Sequence, residues 1–451
     1  MIAISCSASF LEEKKYIINI VFTEFLGLSY KLSVDSAGDD YLIRLNDKVV
    51  EIKNDLFKPC NNDYLNSSPL PDVTYGENQF TPESDIPILF GDEDINVTEG
   101  HIACGIDVFG SSFFMLSRME EVITEERDAH GRFSAESSVA YKNGFLDRPV
   151  VDEYVEMLWN MLLFLDPSLK LEVQKAKNFV TCDLDIPFDP IRRSLKRTIL
   201  KSAADLVLRK SVKELFVTWR NYVSHLAGIY QYDKYRESID WIMDENEDAG
   251  NKVAFYFITK KTSNRDDSFD FSSKEVIELL SCIHSRGHEI GLHPGYNCFD
   301  NKKNFKASAN SFRKGLALAG IKQGLMGGRM HYLRWDVLQT PRLWEAEGFN
   351  YDSTLSYADR AGFRCGTSKE FTMFDLVNCK PLALKQRPLI NMECTIISSR
   401  YENLAYSEKA IQRFRHFKKL TKKYNGNYTI LWHNSHFDTL KDKEFYRELI
   451  K

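Results

Sequence analysis

The chain has 451 residues and a net charge of −5, with 43% hydrophobic and 27% charged residues. This length exceeds what one ordinary hydrophobic core accommodates, so two domains are expected, and the composition is typical of a globular protein rather than a disordered one. The acidic balance argues against a general nucleic-acid binder, and no nucleic acid is expected as a partner.

The cysteines and the apolar runs bear on the compartment. The nine cysteines are odd in number and include no Cys-x-x-Cys pair, which indicates reduced thiols rather than a disulfide framework or a zinc ribbon. The apolar stretch before Cys6 is too short for a signal peptide, and no run of about 18 apolar residues predicts a transmembrane segment. A cytoplasmic localisation is therefore expected, whereas the oligomeric state is left open.

The first 100 residues predict a β-rich domain. Short apolar or alternating runs bounded by Asp, Asn, Gly or Pro indicate strands, at residues 16–22, 41–45, 49–53 and 86–91. The period then changes to that of helices, which are predicted over 111–127 and, with an amphipathic pattern, over 150–165. Residues 1–172 are therefore predicted to form a smaller α+β domain of unknown function.

In residues 173–451, strand-like and helix-like segments alternate. Strands are predicted at residues 178–184, 253–258, 288–293, 324–330, 348–355, 389–397 and 427–433, with helices such as 273–287 and 407–424 between them. This alternation predicts an α/β fold with βα units around a mainly parallel sheet or barrel. In such folds the functional groups gather at the C-terminal ends of the strands. Polar candidates stand at those ends: Asp183, Asp185, His293, Arg329, Asp352 and His433.

A basic segment interrupts this alternation at about residues 190–235. Within it, residues 191–222 contain nine Arg or Lys against two acidic residues, although the chain as a whole is acidic. The simplest interpretation is the solvated face of inserted helices. The alternative is a surface for anionic lipid or a phosphorylated carrier.

Two aspartates lie close together at the end of the predicted strand 178–184. In an extended strand Asp183 and Asp185 point to the same face, and two like charges at that spacing repel each other. A divalent cation would relieve the repulsion, with one carboxylate as its ligand and the other orienting or deprotonating a bound water. The competing interpretation is an exposed strand end that carries two ordinary aspartates.

The remaining candidates follow later strands. His293 could be a metal ligand or a surface histidine in a turn, and His433 could protonate a leaving group or satisfy a hydrogen bond in the core. Arg329 could pair with the aspartates or hold an anionic oxygen. Tyr332 could stack on a sugar or pack in the core, and Arg364, in a long polar loop, is predicted to contact the substrate.

The order of these motifs resembles that of polysaccharide deacetylases of the NodB-homology type, carbohydrate esterase family 4, over residues 173–451. TCDLD (181–185) is similar to the family's T-F-D-D-G motif, GHEIGLHPGYN (287–297) to its histidine motif, and LWH (431–433) to its Leu-x-His motif. Residues 1–150 are similar to an uncharacterised β-rich domain that precedes such deacetylase domains, and the stretch 111–154 is typical of that domain. The resemblance implies a distorted (β/α) barrel, with the basic segment as a helical insert.

The resemblance also implies roles for the site residues. Asp183 matches the catalytic base and His433 the general acid. Asp185 and His293 match two metal ligands, and Arg329 matches the arginine of the family's third motif.

One position departs from the family pattern. The second metal histidine falls on Asn297, whose amide oxygen suits zinc less well than an imidazole does. Either Asn297 completes the site, or His331 replaces it, or the site holds its metal weakly.

The implied function is that of a metal-dependent hydrolase with Zn²⁺ as cofactor, or Co²⁺ or Ni²⁺ in its place. Its substrate would be an N- or O-acetylated sugar in a surface polysaccharide or its precursor, and peripheral contact with a lipid-linked precursor is a further expectation. One alternative is a non-catalytic glycan-binding or scaffold protein on the same fold, which the departure at Asn297 favours. Another is a hydrolase of a different C–N bond.

Overall fold

The computed structural model describes residues 2–35, 38–58, 65, 70–171, 176–267, 269–437 and 439–451. The contacts within the chain divide it into two compact units. The first unit comprises Met1–Asn178, Tyr332–Ala405 and Gln412–Thr429, and the second comprises Phe179–His331, Tyr406–Ile411 and Ile430–Lys451. The predicted boundary between residues 172 and 173 lies outside the described residues, so the division at that point stays a prediction.

The strands of both units are numbered in chain order. They are β1 (Ile2–Cys6), β2 (Tyr30–Val34), β3 (Tyr41–Leu45), β4 (Lys48–Ile52), β5 (Thr74–Gly76), β6 (Ile86–Ile88), β7 (Gly91–Thr98), β8 (His101–Ile106), β9 (Asn178–Leu184), β10 (Val253–Phe257), β11 (Glu289–Leu292), β12 (Gly327–Gly328), β13 (Tyr351–Asp352), β14 (Phe371–Asp375), β15 (Lys380–Gln386), β16 (Asn391–Met392) and β17 (Tyr428–His433).

The α-helices are numbered in the same way. They are α1 (Leu11–Asn19), α2 (Val108–Ser117), α3 (Glu120–Ile123), α4 (Val139–Lys142), α5 (Val150–Leu165), α6 (Leu195–Val207), α7 (Val212–Leu226), α8 (Lys234–Asp248), α9 (Lys274–Ser285), α10 (Lys302–Leu318), α11 (Thr340–Ala346), α12 (Glu393–Ile397), α13 (Glu408–Lys423) and α14 (Leu440–Ile450). A π-helical turn follows α1 at Ile20–Phe25. Across the part of the chain that the structure describes, no helix combines the length and apolar character that a membrane crossing requires.

The first unit contains a six-stranded sheet in the order β2-β1-β3-β4-β8-β7. β1 runs parallel to β2 and antiparallel to β3, and β4 runs parallel to β8. In β3 the residues Tyr41, Ile43 and Leu45 are buried and the two between them are partly exposed, so one face of the sheet packs against the core. The strands predicted at 41–45 and 49–53 correspond to β3 and β4.

Residues 16–22 were predicted to form a strand, and this prediction is wrong. They lie in α1 and in the π-helical turn that follows it. The β-branched residues Ile17, Ile18 and Val21 are fully buried in the core of the first unit. Packing against that core therefore outweighs the local β preference of these residues.

The second unit contains five strands in the order β12-β11-β10-β9-β17. β9 pairs in parallel with β10, β10 with β11 and β11 with β12, and helices lie between these strands in the chain, so the predicted parallel α/β arrangement is confirmed. The closed barrel is not confirmed. The strands stand in a linear order, and the described residues contain no closed ring of strands.

The register of the parallel strands aligns the side chains of the second unit. Asp183 in β9 lies beside Tyr256 in β10, which lies beside Gly291 in β11, so all three point to the same face. Two residues further along, Asp185 and His293 follow the ends of β9 and β11. The C-terminal ends of these strands therefore bring the polar residues of the two sequence motifs together.

Candidate metal centre

Asp185, His293 and His331 form a compact group in the second unit. One ligand-type atom of each residue lies within 4.8 Å of the others. Asp185 Oδ1 is 3.2 Å from His293 Nε2 and 3.5 Å from His331 Nε2. Both histidines are buried, whereas the Asp185 side chain is 29% exposed, so Asp185 is the most exposed of the three residues.

Neighbouring strand ends position these three side chains. Asp185 directly follows β9, His293 directly follows β11, and His331 comes three residues after β12. The backbone N–H of His331 donates to the carbonyl oxygen of Pro294 at 3.1 Å, and that of Arg329 donates to Leu292 at 3.1 Å. These bonds hold the segment after β12 against the segment after β11 and bring the two imidazoles to a centroid separation of 5.0 Å.

The partners of the Nδ1 atoms set the direction of the imidazole lone pairs. His293 Nδ1 lies 2.6 Å from the carbonyl oxygen of Arg329, which can only accept, so Nδ1 carries the proton. His331 Nδ1 lies 2.8 Å from Asp266 Oδ1, which also accepts the backbone N–H of Tyr296 at 2.8 Å. In its neutral form each imidazole therefore presents the lone pair of Nε2 towards Asp185.

The donor set fits a divalent cation. Asp185 Oδ1 is buried and accepts no hydrogen bond from the described residues. Two imidazole lone pairs and a carboxylate oxygen thus face one another, an arrangement that needs a cation or a proton between the atoms. Two nitrogen ligands and one oxygen ligand suit zinc and the neighbouring divalent metals.

Asp266 supports the group from the loop after β10. Its Oδ2 accepts the backbone N–H groups of Thr262 at 2.7 Å and Ser263 at 2.9 Å. Burial raises the pKa of Asp266, but the hydrogen bonds from His331 and from the backbone outweigh burial and lower the pKa to about 2. A Cβ on Gly295 would lie 2.7 Å from Asp266 Oδ2, so the close approach requires a glycine there.

The electrostatics of the group favour positive charge. Burial lowers the pKa of His331, but the carboxylates of Asp185 and Asp266 outweigh it and raise the pKa to about 9. Burial raises the pKa of Asp185, but the neighbouring imidazoles of His331, His293 and His433 outweigh burial and hold the pKa well below its usual range. The carboxylates therefore stay ionised at neutral pH and attract a cation.

Asp183 and Arg329 form a buried ion pair beside the group. Arg329 Nη1 donates to Asp183 Oδ1 at 2.8 Å and to Thr181 Oγ1 at 2.9 Å, and the guanidinium lies 5.0 Å from the centroid of the Tyr256 ring. The other carboxylate oxygen, Asp183 Oδ2, lies 3.8 Å from His293 Nε2. Arg329 therefore fixes the orientation of Asp183 and leaves Oδ2 on the side of the histidines.

His433 approaches the group from β17, the neighbour of β9 in the sheet. Its Nε2 is 3.8 Å from Asp185 Oδ2, and the side chain is partly exposed. The next residue, Asn434, donates through Nδ2 to the carbonyl oxygen of Ile186 at 3.0 Å. This bond holds the end of β17 against the loop that follows Asp185.

Asn297 is placed differently from the expected third ligand. The residue is exposed, its backbone N–H donates to Thr262 Oγ1 at 3.0 Å, and its side-chain amide donates to the carbonyl oxygen of Thr262 at 3.0 Å. The structure thus ties Asn297 to the backbone of Thr262 and brings His331 to Asp185 and His293. The bond of His331 to Pro294 explains the difference, because it returns a residue that is distant in sequence to the end of β11.

The two predicted substrate-binding residues belong to the first unit. Arg364 is buried, where it donates to both carboxylate oxygens of Glu121, at 2.9 and 2.8 Å, and to the carbonyl oxygen of Ser356 at 2.7 Å. These contacts hold the guanidinium of Arg364 within the first unit, and its contact with a substrate stays a prediction. Tyr332 is partly exposed, has a positive φ of 64° and lies 5.1 Å from the ring of His130.

Sequence reasoning missed three supporting residues of this site: Thr181, Tyr256 and Asp266. A signal existed for Asp266, because it lies in the polar loop after a predicted strand of the parallel sheet. Thr181 and Tyr256 lie inside strands, where their sequence positions give no sign that they contact Arg329.

Comparisons with known proteins give a family match for the N-terminal part and weak structural similarities. Residues 2–167 match DUF7033, a family of unknown function. No curated protein matches the sequence significantly.

Three of the solved structures that are similar to this chain share little sequence with it. A putative polysaccharide deacetylase from Mycobacterium smegmatis has a TM-score of 0.39 and 13% identity, over 62% of this chain and 84% of that one. A probable polysaccharide deacetylase from Pseudomonas aeruginosa PAO1 has a TM-score of 0.33 and 15% identity, over 47% and 65%. PuuE allantoinase has a TM-score of 0.32 and 14% identity, over 50% and 69%. Similarity at this level carries no functional conclusion.

Proposed function

We propose that the chain is a metal-dependent hydrolase that deacetylates an N- or O-acetylated sugar in a surface polysaccharide or its precursor. The observation that carries the proposal is the convergence of Asp185, His293 and His331 beside the ion pair of Asp183 with Arg329. The order of the sequence motifs, which resembles that of polysaccharide deacetylases, supports the acetylated sugar as the substrate class.

Asp185, His293 and His331 would hold one divalent cation, with Zn²⁺ as the first candidate and Co²⁺ or Ni²⁺ as alternatives. Three protein ligands leave a coordination position for water or substrate, which is the feature of catalytic zinc sites. A cation bound there supplies polarisation of the acetyl carbonyl and a water of lowered pKa.

Asp183 would accept the proton of the attacking water. Its Oδ1 is held by Arg329, so Oδ2 is the oxygen that faces the proposed metal ligands, 3.8 Å from His293 Nε2. Because Arg329 is fully buried and hydrogen-bonded to Thr181 as well, it keeps the carboxylate in one orientation. A fixed orientation of the base is what efficient proton transfer requires.

His433 would give its proton to the departing amine or alcohol. It reaches the group from β17, whereas Asp183 reaches it from β9, so the two proton-transfer groups stand on different strands. Their separate positions match the two tasks of a deacetylation, which are removal of a proton from water and delivery of a proton to the leaving group.

The test is acetate release by the full chain loaded with zinc, with N-acetylated and O-acetylated sugar oligomers as substrates. Asp183→Asn and His433→Asn are expected to lower the rate by at least about 100-fold, the usual contribution of one acid or base, while zinc stays at one per chain. Asp267→Asn, a matched loss of one carboxylate in the loop of the second unit, is expected to keep the activity. Acetate release that survives both site variants would contradict the proposed roles.

The product distinguishes this reaction from the alternatives. Release of ammonia or a ring-opened product from a cyclic amide, in place of acetate, would assign the site to another C–N bond. Sugar binding without any turnover at full zinc occupancy would assign the protein to glycan binding. The feature that favoured mere binding was the amide at position 297, and His331 supplies the imidazole that this position lacks.

A further inference from the structure

The basic segment of the second unit forms a helical hairpin of α6 and α7. In this hairpin the polar residues are buried and the apolar residues are exposed, the reverse of the usual arrangement. In a helix that packs on a protein core, the buried positions are apolar and the exposed positions are polar. In this hairpin the buried positions are polar in both helices: Thr198, Ser202, Asp205, Thr218, Asn221 and Ser224. The hairpin therefore does not use an apolar stripe to pack against the rest of the chain.

Hydrogen bonds between polar side chains hold the two helices together. Thr218 Oγ1 donates to Asp205 Oδ2 at 2.8 Å, and Lys201 Nζ donates to Thr218 Oγ1 at 2.6 Å. Asp205 Oδ2 also forms an ion pair with Lys201 Nζ at 3.3 Å. The backbone carbonyl oxygen of Asp205 accepts a hydrogen bond from the backbone N–H of Ser211 at 3.0 Å. The buried carboxylate of Asp205 is thus satisfied by hydrogen bonds and an ion pair from within the hairpin.

The outer face of the hairpin is apolar. On α7 the exposed residues recur at intervals of four and three, which places them on one stripe opposite the buried polar residues: Val212, Phe216, Trp219, Val223 and Leu226. Val212 is 73% exposed, and Phe216 and Leu226 are each 68% exposed. α6 and the residue after it add a second set: Leu195, Ile199, Leu200, Leu206, Val207 and Leu208. An exposed apolar patch of this extent marks an interaction surface.

Basic side chains surround this apolar face. Residues 191–222 contain nine Arg or Lys and two acidic residues, and Lys196, Arg197, Lys210 and Lys213 are exposed. Pairing with a second copy of the same face would bring positive charge against positive charge. An anionic lipid surface offers negative headgroups for the basic side chains and an apolar boundary for the exposed stripes.

We propose that the α6–α7 hairpin docks on the surface of a lipid bilayer that contains anionic headgroups. The helices have 13 and 15 residues, which is shorter than the roughly 20 that cross a bilayer, so they lie in the plane of the interface. Their apolar stripes enter the boundary between headgroups and acyl chains, and their Lys and Arg side chains contact lipid phosphates. This inference does not depend on the proposed hydrolase activity.

The test is flotation of the full chain with vesicles of phosphatidylcholine alone or with about 30% phosphatidylglycerol, because anionic lipid supplies the attraction for basic residues. We expect at least about tenfold more protein on the anionic vesicles, and less binding as the salt concentration rises. The variant Phe216→Glu/Val223→Glu/Leu226→Glu is expected to lose this binding. The control variant Leu318→Glu/Val377→Glu/Leu440→Glu adds the same charge at exposed apolar positions elsewhere and is expected to keep it.

Two results would overturn the proposal. One is the absence of binding to anionic vesicles at low salt, or equal binding by the hairpin variant and the control variant. The other is a dimer in light scattering that the hairpin variant breaks while vesicles stay unbound, because the face would then be an interface between copies. Circular dichroism of both variants tests whether they are folded, so that a loss of vesicle binding can be assigned to the hairpin surface and not to unfolding.

Discussion

The imidazole of His331 occupies the position that decides whether the group holds a metal. Motif spacing offered Asn297 for this position, and the structure brings His331 to within 3.5 Å of Asp185 Oδ1. His331 reaches this position because the segment after β12 packs against the segment after β11. The residue spacing within one motif gives no information about this packing. Local sequence therefore pointed to two of the proposed ligands, Asp185 and His293. The choice between Asn297 and His331 as the proposed third ligand required the three-dimensional path of the chain.

A pair of alanine variants separates the two candidates for the third ligand. His331→Ala is expected to lose stoichiometric zinc because one of three ligands disappears, and Asn297→Ala is expected to keep one zinc per chain. The measurement is metal content by mass spectrometry after dialysis of zinc-loaded protein. Retention of zinc by the His331 variant together with its loss from the Asn297 variant would reverse the assignment.

Asp266 is expected to tune metal affinity without being a ligand. Asp266→Asn keeps the shape of the side chain but weakens the hydrogen bond that orients His331, and such changes lower metal affinity by about 10- to 100-fold. Zinc affinity is measured by competition with a chelator of known affinity. A thermal melt of the metal-free variant serves as the control for folding, and an unchanged affinity would show that Asp266 has only a structural role.

Metal binding is expected to release a proton near neutral pH. The pKa of His331 is about 9, so at pH 7 this imidazole carries a proton that a metal has to displace, whereas the low pKa of Asp185 adds none. Affinity should therefore increase as the pH rises from 7 towards 9. Calorimetry at pH 7 in buffers of different ionisation enthalpy measures the released proton, and a binding enthalpy independent of buffer would contradict this expectation.

The buried arginines show what the sequence alone leaves undetermined. Arg329 lies at the end of a predicted strand and Arg364 in the polar loop after one, and both were candidates for the site. Arg329 pairs with Asp183, whereas Arg364 pairs with Glu121, which is 243 positions away in the chain. Since partners that are distant in sequence determine the surroundings of each arginine, a local pattern could not separate the two.

Strands and helices follow the sequence where local pattern and burial agree. β9 has the bounds predicted for it, and so does the amphipathic helix α5. Residues 16–22 are helical against prediction, and the antiparallel pair β14 and β15 was not predicted. In both cases the secondary structure depends on packing against a core formed by residues that are far apart in sequence, and a local pattern does not contain these contacts.

Gly291 is expected to be essential for the packing behind the site. A Cβ at this position would lie 2.4 Å from Tyr256 Cδ1, and the Tyr256 ring supports the guanidinium of Arg329. Gly291→Ala should therefore lower the free energy of unfolding by about 1–3 kcal/mol, the usual cost of overpacking a core. The control is Gly324→Ala, where a Cβ meets nothing within 4 Å, and urea unfolding compares the two. Equal stability of both variants would show that Tyr256 moves freely.

The path of the whole chain bears on the predicted division at residue 172. The first compact unit combines the N-terminal part of the sequence with two later segments, Tyr332–Ala405 and Gln412–Thr429. Tyr16 donates to the carbonyl oxygen of Thr372 at 2.7 Å, and the rings of Tyr16 and Phe374 lie 4.8 Å apart. The composition and the hydrophobic periodicity of the sequence change near the predicted boundary. Such local changes do not show that later segments of the chain belong to the first unit.

A truncated chain of residues 1–172 is accordingly expected not to fold as an independent domain. It lacks Arg364, which leaves Glu121 buried with one partner fewer, and a buried charge that loses its partner costs about 3–5 kcal/mol. The measurement is thermal unfolding followed by near-ultraviolet circular dichroism, with the full chain as the control. A cooperative transition in the truncated chain would show that residues 1–172 form a domain of their own.

The central claim is that Asp185, His293 and His331 share one divalent cation. Anomalous diffraction at the zinc absorption edge, from crystals of zinc-loaded protein, tests this claim most directly. We expect one strong peak at about 2.0–2.2 Å from Asp185 Oδ1, His293 Nε2 and His331 Nε2, the distances at which zinc binds oxygen and nitrogen ligands. A peak bound elsewhere, or no peak at these three atoms in fully loaded crystals, would contradict it.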